Sequence, residues 1–307
     1  MKPTTFSPSR RNFLRQTGTL AALSLTSLPE WSCQQDKLFF RISLAEWSFH
    51  VSLKSGQMDN LDFPVVARNE FGLDGVEYVN QFFMDKATNQ EYLNELKKRC
   101  DDNGVRSLLI MCDSEGDLAD TNADLRQQAV ENHFKWVDAA HFLGCHSIRV
   151  NCAGKGTPEA VAAAGMEGLS RLSEYAGKAG LNVIVENHGG YSSNGKWLTS
   201  VIRAVALPNC GTLPDFGNFN LGNDTWYDRY MGVEEMMPFA KAVSAKSHDF
   251  DEGGNCVETD YVRMLKIVKD AGYTGYIGIE YEGEKLTERD GIRATLDLLK
   301  KAGAQVG

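Results

Sequence analysis

The chain has 307 residues, enough to bury one large core or two small ones. Hydrophobic residues at 42% and charged residues at 24% exclude a disordered or fibrous protein. A net charge of −9 argues against a nucleic-acid surface, which needs a basic patch, and leaves a small-molecule partner open.

The first 33 residues differ from the rest. Arg10 and Arg11 precede Asn12, Phe13 and Leu14, and a modest apolar stretch follows over residues 20–28. That stretch is too short to span a bilayer as a mature helix. A basic start before it has the layout of an export signal. The run S-R-R-N-F-L-R resembles the bacterial twin-arginine signal, which implies export to the periplasm and a mature domain over residues 34–307. Cys33 is a candidate lipid-attachment site, the one feature that would tie the protein to a membrane. Glu30 fits such a site poorly, because an aliphatic residue is preferred there. The seven cysteines are scattered with no C-x-x-C pair, so neither a zinc ribbon nor a dense disulfide framework is expected.

Apolar runs of strand length then recur at 40–49, 75–79, 107–112, 147–151, 182–186, 211–216, 242–250 and 276–281. Several are almost continuously hydrophobic, as strands buried on both faces should be. Helical periodicity fills 89–103, 120–143, 157–179, 260–271 and 287–302, the last two ending before Gly272 and Gly303. Two connections are less regular, 62–71 with Pro64 and the aromatic 221–240. Strand starts lie about 30 to 40 residues apart, the length of one βα unit. Eight units predict a single α/β domain, a (β/α)8 TIM barrel. A doubly wound sheet is the alternative, but no G-x-G-x-x-G follows the first strand.

In such a barrel the chemistry sits at the C-terminal ends of the strands. Strands five to eight end on Glu186, Asp215, His248 and Glu280, a polar stop repeated once per unit. Three carboxylates and an imidazole form an oxygen-rich set. It suits Mn2+, Mg2+ or Co2+ better than a structural zinc, with zinc still possible. His188 and Asn151 extend the same rim. Arg149, one layer deeper, is placed to pair with an acid. Glu77, at the end of strand two, and His50, after strand one, are further candidates for substrate contact. Trp47 and the group Trp226, Tyr227 and Tyr230 offer rings to stack on a sugar.

The segments VIVENHGG, LPDFGNF, AKSHDF and GYIGIEYEG resemble the sugar isomerase/epimerase branch of the xylose isomerase-like TIM-barrel superfamily. The resemblance covers the whole mature chain. It implies one divalent cation held by Glu186, Asp215, His248 and Glu280, with Glu186 and Glu280 also moving protons. Two positions depart from the ketose 3-epimerase pattern. Asn218 stands where a substrate-binding histidine is usual, and Gly254 where an arginine is usual. The function implied is isomerisation or epimerisation of an unphosphorylated sugar by proton abstraction next to a carbonyl. The alternatives are a dehydratase or lyase acting on a keto-sugar, inosose or 3-keto-glycoside, and a non-catalytic sugar-binding barrel.

Overall fold

Eight strands hydrogen-bond side by side, all parallel: β1 (Arg41–Ala45), β2 (Gly75–Val79), β3 (Arg106–Met111), β4 (Ser147–Val150), β5 (Asn182–Glu186), β6 (Cys210–Leu213), β7 (Val243–Ser247) and β8 (Tyr276–Tyr281). β1 lies between β2 and β8, so the sheet curls round from β6 through β1 to β7. Isolated parallel bridges, Thr212 to Ala240 and Asp215 to Ser244, join the two ends. The result is the expected TIM barrel with its ring of helices. The computed structural model describes residues 38–307. The twin-arginine motif, its apolar stretch and Cys33 lie outside the described residues. No helix among the described residues is long and apolar enough to cross a membrane.

Local chemistry sets the helix ends. Asn89, Asn122, Thr157, Asn194, Asp228, Asp260 and Thr287 each cap a helix, their side chains accepting a backbone N–H of the first turn. Outward residues such as Leu44, Val76, Tyr78, Ile148, Val183 and Ile277 pack beneath the helices. Residues of the opposite parity point inward. They include an apolar cluster of Val79, Leu109, Met111, Ile184 and Leu213, and the polar Ser43, Glu77, Arg149, Ser244 and Lys246.

Four features differ from expectation. The first strand stops at Ala45, and residues 46–54 turn into two short helices. Buried Glu46 causes the turn by accepting the Val79 N–H at 2.8 Å. The irregular stretch before β7 contains a hairpin, Asn220–Gly222 against Thr225–Trp226, turned by Asn223 and Asp224 at φ 50° and 56°. A regular helix, Gly195–Val205, precedes β6. The last helix runs on to Val306, past Gly303. That glycine does not end the helix; it admits Leu38, whose Cδ2 a Cβ would meet at 2.7 Å.

Glu77 is in the middle of β2, not at its end, and is 1% exposed. It is therefore the floor of the site and not a rim contact. Its Oε1 accepts the Ser43 hydroxyl at 2.6 Å, while Oε2 has no partner. Burial pushes its pKa up to about 8, so it is a neutral acid at pH 7. The carboxyl lies over Gly278, where a Cβ would come within 2.6 Å of both oxygens. Gly278→Ala should therefore cost about 1–3 kcal/mol in urea unfolding, the usual scale of overpacking. Adding Glu77→Ala should recover part of that loss. Simple additivity of the two changes would show that this contact does not set the floor.

Candidate metal centre

Glu186 is the last residue of β5, Glu280 lies near the end of β8, and Asp215 stands two residues past β6. All three are buried, and each offers an oxygen within 4.8 Å of the others. Backbone register and polar clips place them there. Asn187, next to Glu186, accepts the Asp215 N–H at 2.8 Å and donates to the Asp215 carbonyl at 3.0 Å. Asp215 Oδ1 accepts the N–H groups of Gly217 and Asn218, both at 2.8 Å. Glu186 Oε1 accepts the Asn218 amide at 2.9 Å. Thus Asn218, the departure from the epimerase pattern, holds one of the carboxylates.

His248 is not part of this trio. The register pairs Glu280 with Lys246, so His248 sits two residues beyond, about 6–7 Å further along at strand rise. What β7 delivers to the trio is Ser244 and Lys246. The Ser244 hydroxyl lies 2.6 Å from Asp215 Oδ2 and 2.9 Å from Glu280 Oε2. Lys246 Nζ lies 3.0 Å from Glu280 Oε1 and 2.8 Å from Glu282 Oε1. Its stem runs over Gly217, where a Cβ would press on Cγ at 3.0 Å. On the other side Arg149 Nε is 2.8 Å from Glu186 Oε2, and a terminal nitrogen is 2.7 Å from Asp113.

The family described as xylose isomerase-like TIM barrel matches residues 66–302. The chain belongs to this family. No curated protein is significantly similar to the sequence. Among solved structures it is similar to the IolI protein with a bound zinc atom, at TM-score 0.70 and 13% identity over 87% of this chain and 99% of that one. It is also similar to a xylose isomerase-like TIM barrel protein from Mycobacterium smegmatis in complex with magnesium, at TM-score 0.62 and 16% identity over 86% and 97%. A third is the 3-keto-D-glucoside 4-epimerase YcjR from E. coli, at TM-score 0.63 and 14% identity over 85% and 99%.

Do the residues of this xylose isomerase-like barrel fit a divalent cation? Two observations say they do. One hydroxyl proton on Ser244 cannot serve both carboxylate oxygens it touches, so one of them faces a lone pair. Charge is also out of balance. Leaving out Glu282, which is nearer solvent, Glu186, Asp215, Glu280 and Asp113 face only Arg149 and Lys246, a deficit of two that one divalent ion would cancel. Without such an ion, burial pushes Glu186 and Asp215 up to about 7. Burial acts the same way on Glu280, but the adjoining Lys246 ammonium holds it below its usual value. Asp113 is likewise pulled against burial to about 2 by Arg149. Lys246 resists desolvation because Glu280, Asp215 and Glu282 surround it, and it stays protonated.

The remaining rim residues divide. Asn151 donates to Asp113 at 2.9 Å. His188 is exposed at the mouth. Desolvation by the protein around its ring, helped by Arg149 and Lys246, lowers its pKa and leaves it neutral at pH 7. His50 stacks on Trp47 at 5.0 Å, and Lys54 lies 4.2 Å from the Trp47 ring. Tyr227 is tied to Glu235 and Tyr230 lies under Arg263, so of that aromatic group only Trp226 is freely exposed. Reasoning from strand ends missed Asp113, Ser244 and Lys246. Asp113 is itself a polar stop after an apolar run, and period-two alternation puts residues 244, 246 and 248 on one face.

Two outcomes follow for metal binding. Divalent ions displace the protons of Glu186 and Asp215, so affinity should climb with pH to about 7 and then level off. Calorimetry in buffers of different ionisation enthalpy should find proton release near pH 6 and little above pH 8. An affinity that falls with rising pH would contradict the charge assignment. Lys246 competes with the metal for Glu280. Lys246→Met should raise Mg2+ affinity on the order of tenfold, given the size of a unit-charge interaction at this range. An unchanged or weaker affinity would show that Lys246 does not oppose the ion.

Proposed function

We propose that this protein is a divalent-metal-dependent isomerase or epimerase of unphosphorylated sugars or sugar derivatives, exported by the twin-arginine route. The observation that carries the reading is the convergence of Glu186, Asp215 and Glu280 at the C-terminal mouth, where barrels of this kind place their chemistry. An all-oxygen donor set of this kind suits Mg2+ or Mn2+ best. The similarity to a 3-keto-D-glucoside 4-epimerase points to the same substrate chemistry. The cations at the mouth support an unphosphorylated substrate. Arg149 and Lys246 are both committed to carboxylates, and Lys54 at the Trp47 ring stands alone, so no cluster of cations is offered to a phosphate.

A cation held by Glu186, Asp215 and Glu280 supplies positive charge for the enediolate oxygens that form when a carbon next to a carbonyl loses its proton. The rest falls to the chain. Glu186 and Glu280 come from strands on different sides of the barrel mouth and flank the substrate carbon. One carboxylate takes the proton as the C–H bond breaks. The other returns a proton to the opposite face, or to the neighbouring carbon in an isomerisation. Neutral His188 at the mouth accepts or donates hydrogen bonds to substrate hydroxyls. Trp47 and His50 bound the opposite side.

A second reading is β-elimination from a keto-sugar or 3-keto-glycoside, which begins with the same proton abstraction next to a carbonyl.

The test is hydrogen exchange from deuterated water into a panel of free sugars and 3-keto-glycosides at saturating Mg2+ or Mn2+. Incorporation at a carbon next to the carbonyl is expected, with unsaturated product marking elimination. Tight sugar binding without any exchange would instead describe a binding protein. Glu186→Gln and Glu280→Gln keep the shape and an oxygen ligand but lose the basic carboxylate. Each should lower turnover by at least ~10²-fold, the usual scale of acid–base catalysis. Recovery of turnover at excess metal would show that the two glutamates only hold the ion.

A further inference from the structure

A cleft of about 670 Å3 opens at His188, two residues past Glu186, walled by Pro158, His188, Tyr191, Asn194, Trp197 and Leu221. Three of its properties bear on what it takes. First, no charged side chain lines it; main chain at Gly154, Gly189 and Gly190 completes the wall. Gly189 and Gly190 have φ of 86° and 57°, and a Cβ at either would meet nothing within 4 Å, so these glycines keep the wall low and open. Second, the aromatic rings are oriented by their polar ends. The Tyr191 hydroxyl donates to the Gly156 carbonyl at 2.9 Å, and Trp197 Nε1 donates to the Pro158 carbonyl at 3.0 Å. The two rings pack on each other, with centroids 5.6 Å apart and planes tilted by 33°, so what they offer the cleft is their outer apolar surface. Third, His188 belongs both to this cleft and to the charged cluster. Arg149, Lys246, Asp113 and Glu280 act on its ring.

The volume is that of a site for a drug-sized molecule, more than one pyranose ring held at the carboxylates would use. Aromatic faces without charge suit the apolar face of a neutral ring. They offer nothing to a phosphate or carboxylate.

We infer that this cleft is a subsite for a neutral ring attached to the reacting sugar, and that the substrate is therefore a glycoside and not a free monosaccharide. The attached ring, a second sugar or an aromatic aglycone, packs against the wall formed by Tyr191, Trp197 and Leu221, while His188 marks the junction with the reacting unit. The inference deepens the proposed function, on which it relies for which end of the substrate reacts.

The test is equilibrium binding to the Mg2+-loaded protein, followed by calorimetry and tryptophan fluorescence. The probes are phenyl β-D-glucoside, phenyl β-D-galactoside, cellobiose and lactose, each against free glucose and galactose. At least one glycoside should bind tenfold or more tightly than its free sugar. Phenyl glycosides or disaccharides leading the series identifies which ring is taken. Tyr191→Ala should remove the advantage and leave Mg2+ affinity and free-sugar binding unchanged. Leu221→Arg, at the exposed edge, should do the same by filling the cleft. Equal binding of glycosides and free sugars, no glycoside binding at millimolar concentration, or an advantage that survives both substitutions would overturn the inference. Glycoside preference without hydrogen exchange would leave the subsite standing and defeat the proposed reaction. Exchange without preference would do the reverse.

Discussion

The structure is organised around charge confined in a dry place. Glu186, Asp215 and Glu280 are buried inside the barrel with two cations, Arg149 and Lys246, also buried. Bringing an ionised carboxylate out of water costs several kcal/mol even after relaxation, and close partners must offset it. Much of the surrounding design follows. Asn187 fixes the backbone of Asp215, and the Asn218 amide fixes the Glu186 carboxylate. Ser244 stands between Asp215 and Glu280. Gly217 makes room for the Lys246 stem, and Gly278 makes room for Glu77 beneath. Ser244 and Gly278 are small residues at inward strand positions where a barrel usually places a branched apolar one, and Asn187, Gly217 and Asn218 lie in the loops just past β5 and β6.

How far the sequence discloses this depends on which physical signal carries it. Strand order, barrel closure and the trio were legible because a polar residue ending an apolar run is rare and recurs at β5, β6 and β8. β7 broke the rule. Its last residues alternate, and the inward-facing members at the height of the trio are Ser244 and Lys246, with His248 beyond them. A strand's end is defined by hydrogen bonding, and the height of a side chain in the barrel by register; only the second places a ligand. Glu77 was misplaced for the same reason, since β2 continues two residues past it. Gly303 shows a different limit. A glycine near a helix end reads as a terminator, but here tertiary contact with Leu38 decides its role. Asn187 offered no sequence signal of its own, because its work is a hydrogen bond to a residue 28 positions away.

With Lys246 and Arg149 in place the deficit inside the barrel is two charges, and Glu186 and Asp215 can absorb it by taking up protons near neutral pH. Proton uptake by these two groups is one way to meet the deficit, and a bound divalent ion is the other. The same lysine weakens the ion's hold, because it occupies one oxygen of Glu280. Lys246 lies between Glu280 on β8 and Glu282, the residue just past its end and nearer solvent, with Nζ 3.0 Å and 2.8 Å from their oxygens. Buried ion pairs are weak evidence of stability, but they are well suited to a site with two alternative charge states. β7 thus carries a cation, Lys246, level with Glu280, and His248 two residues further toward the mouth.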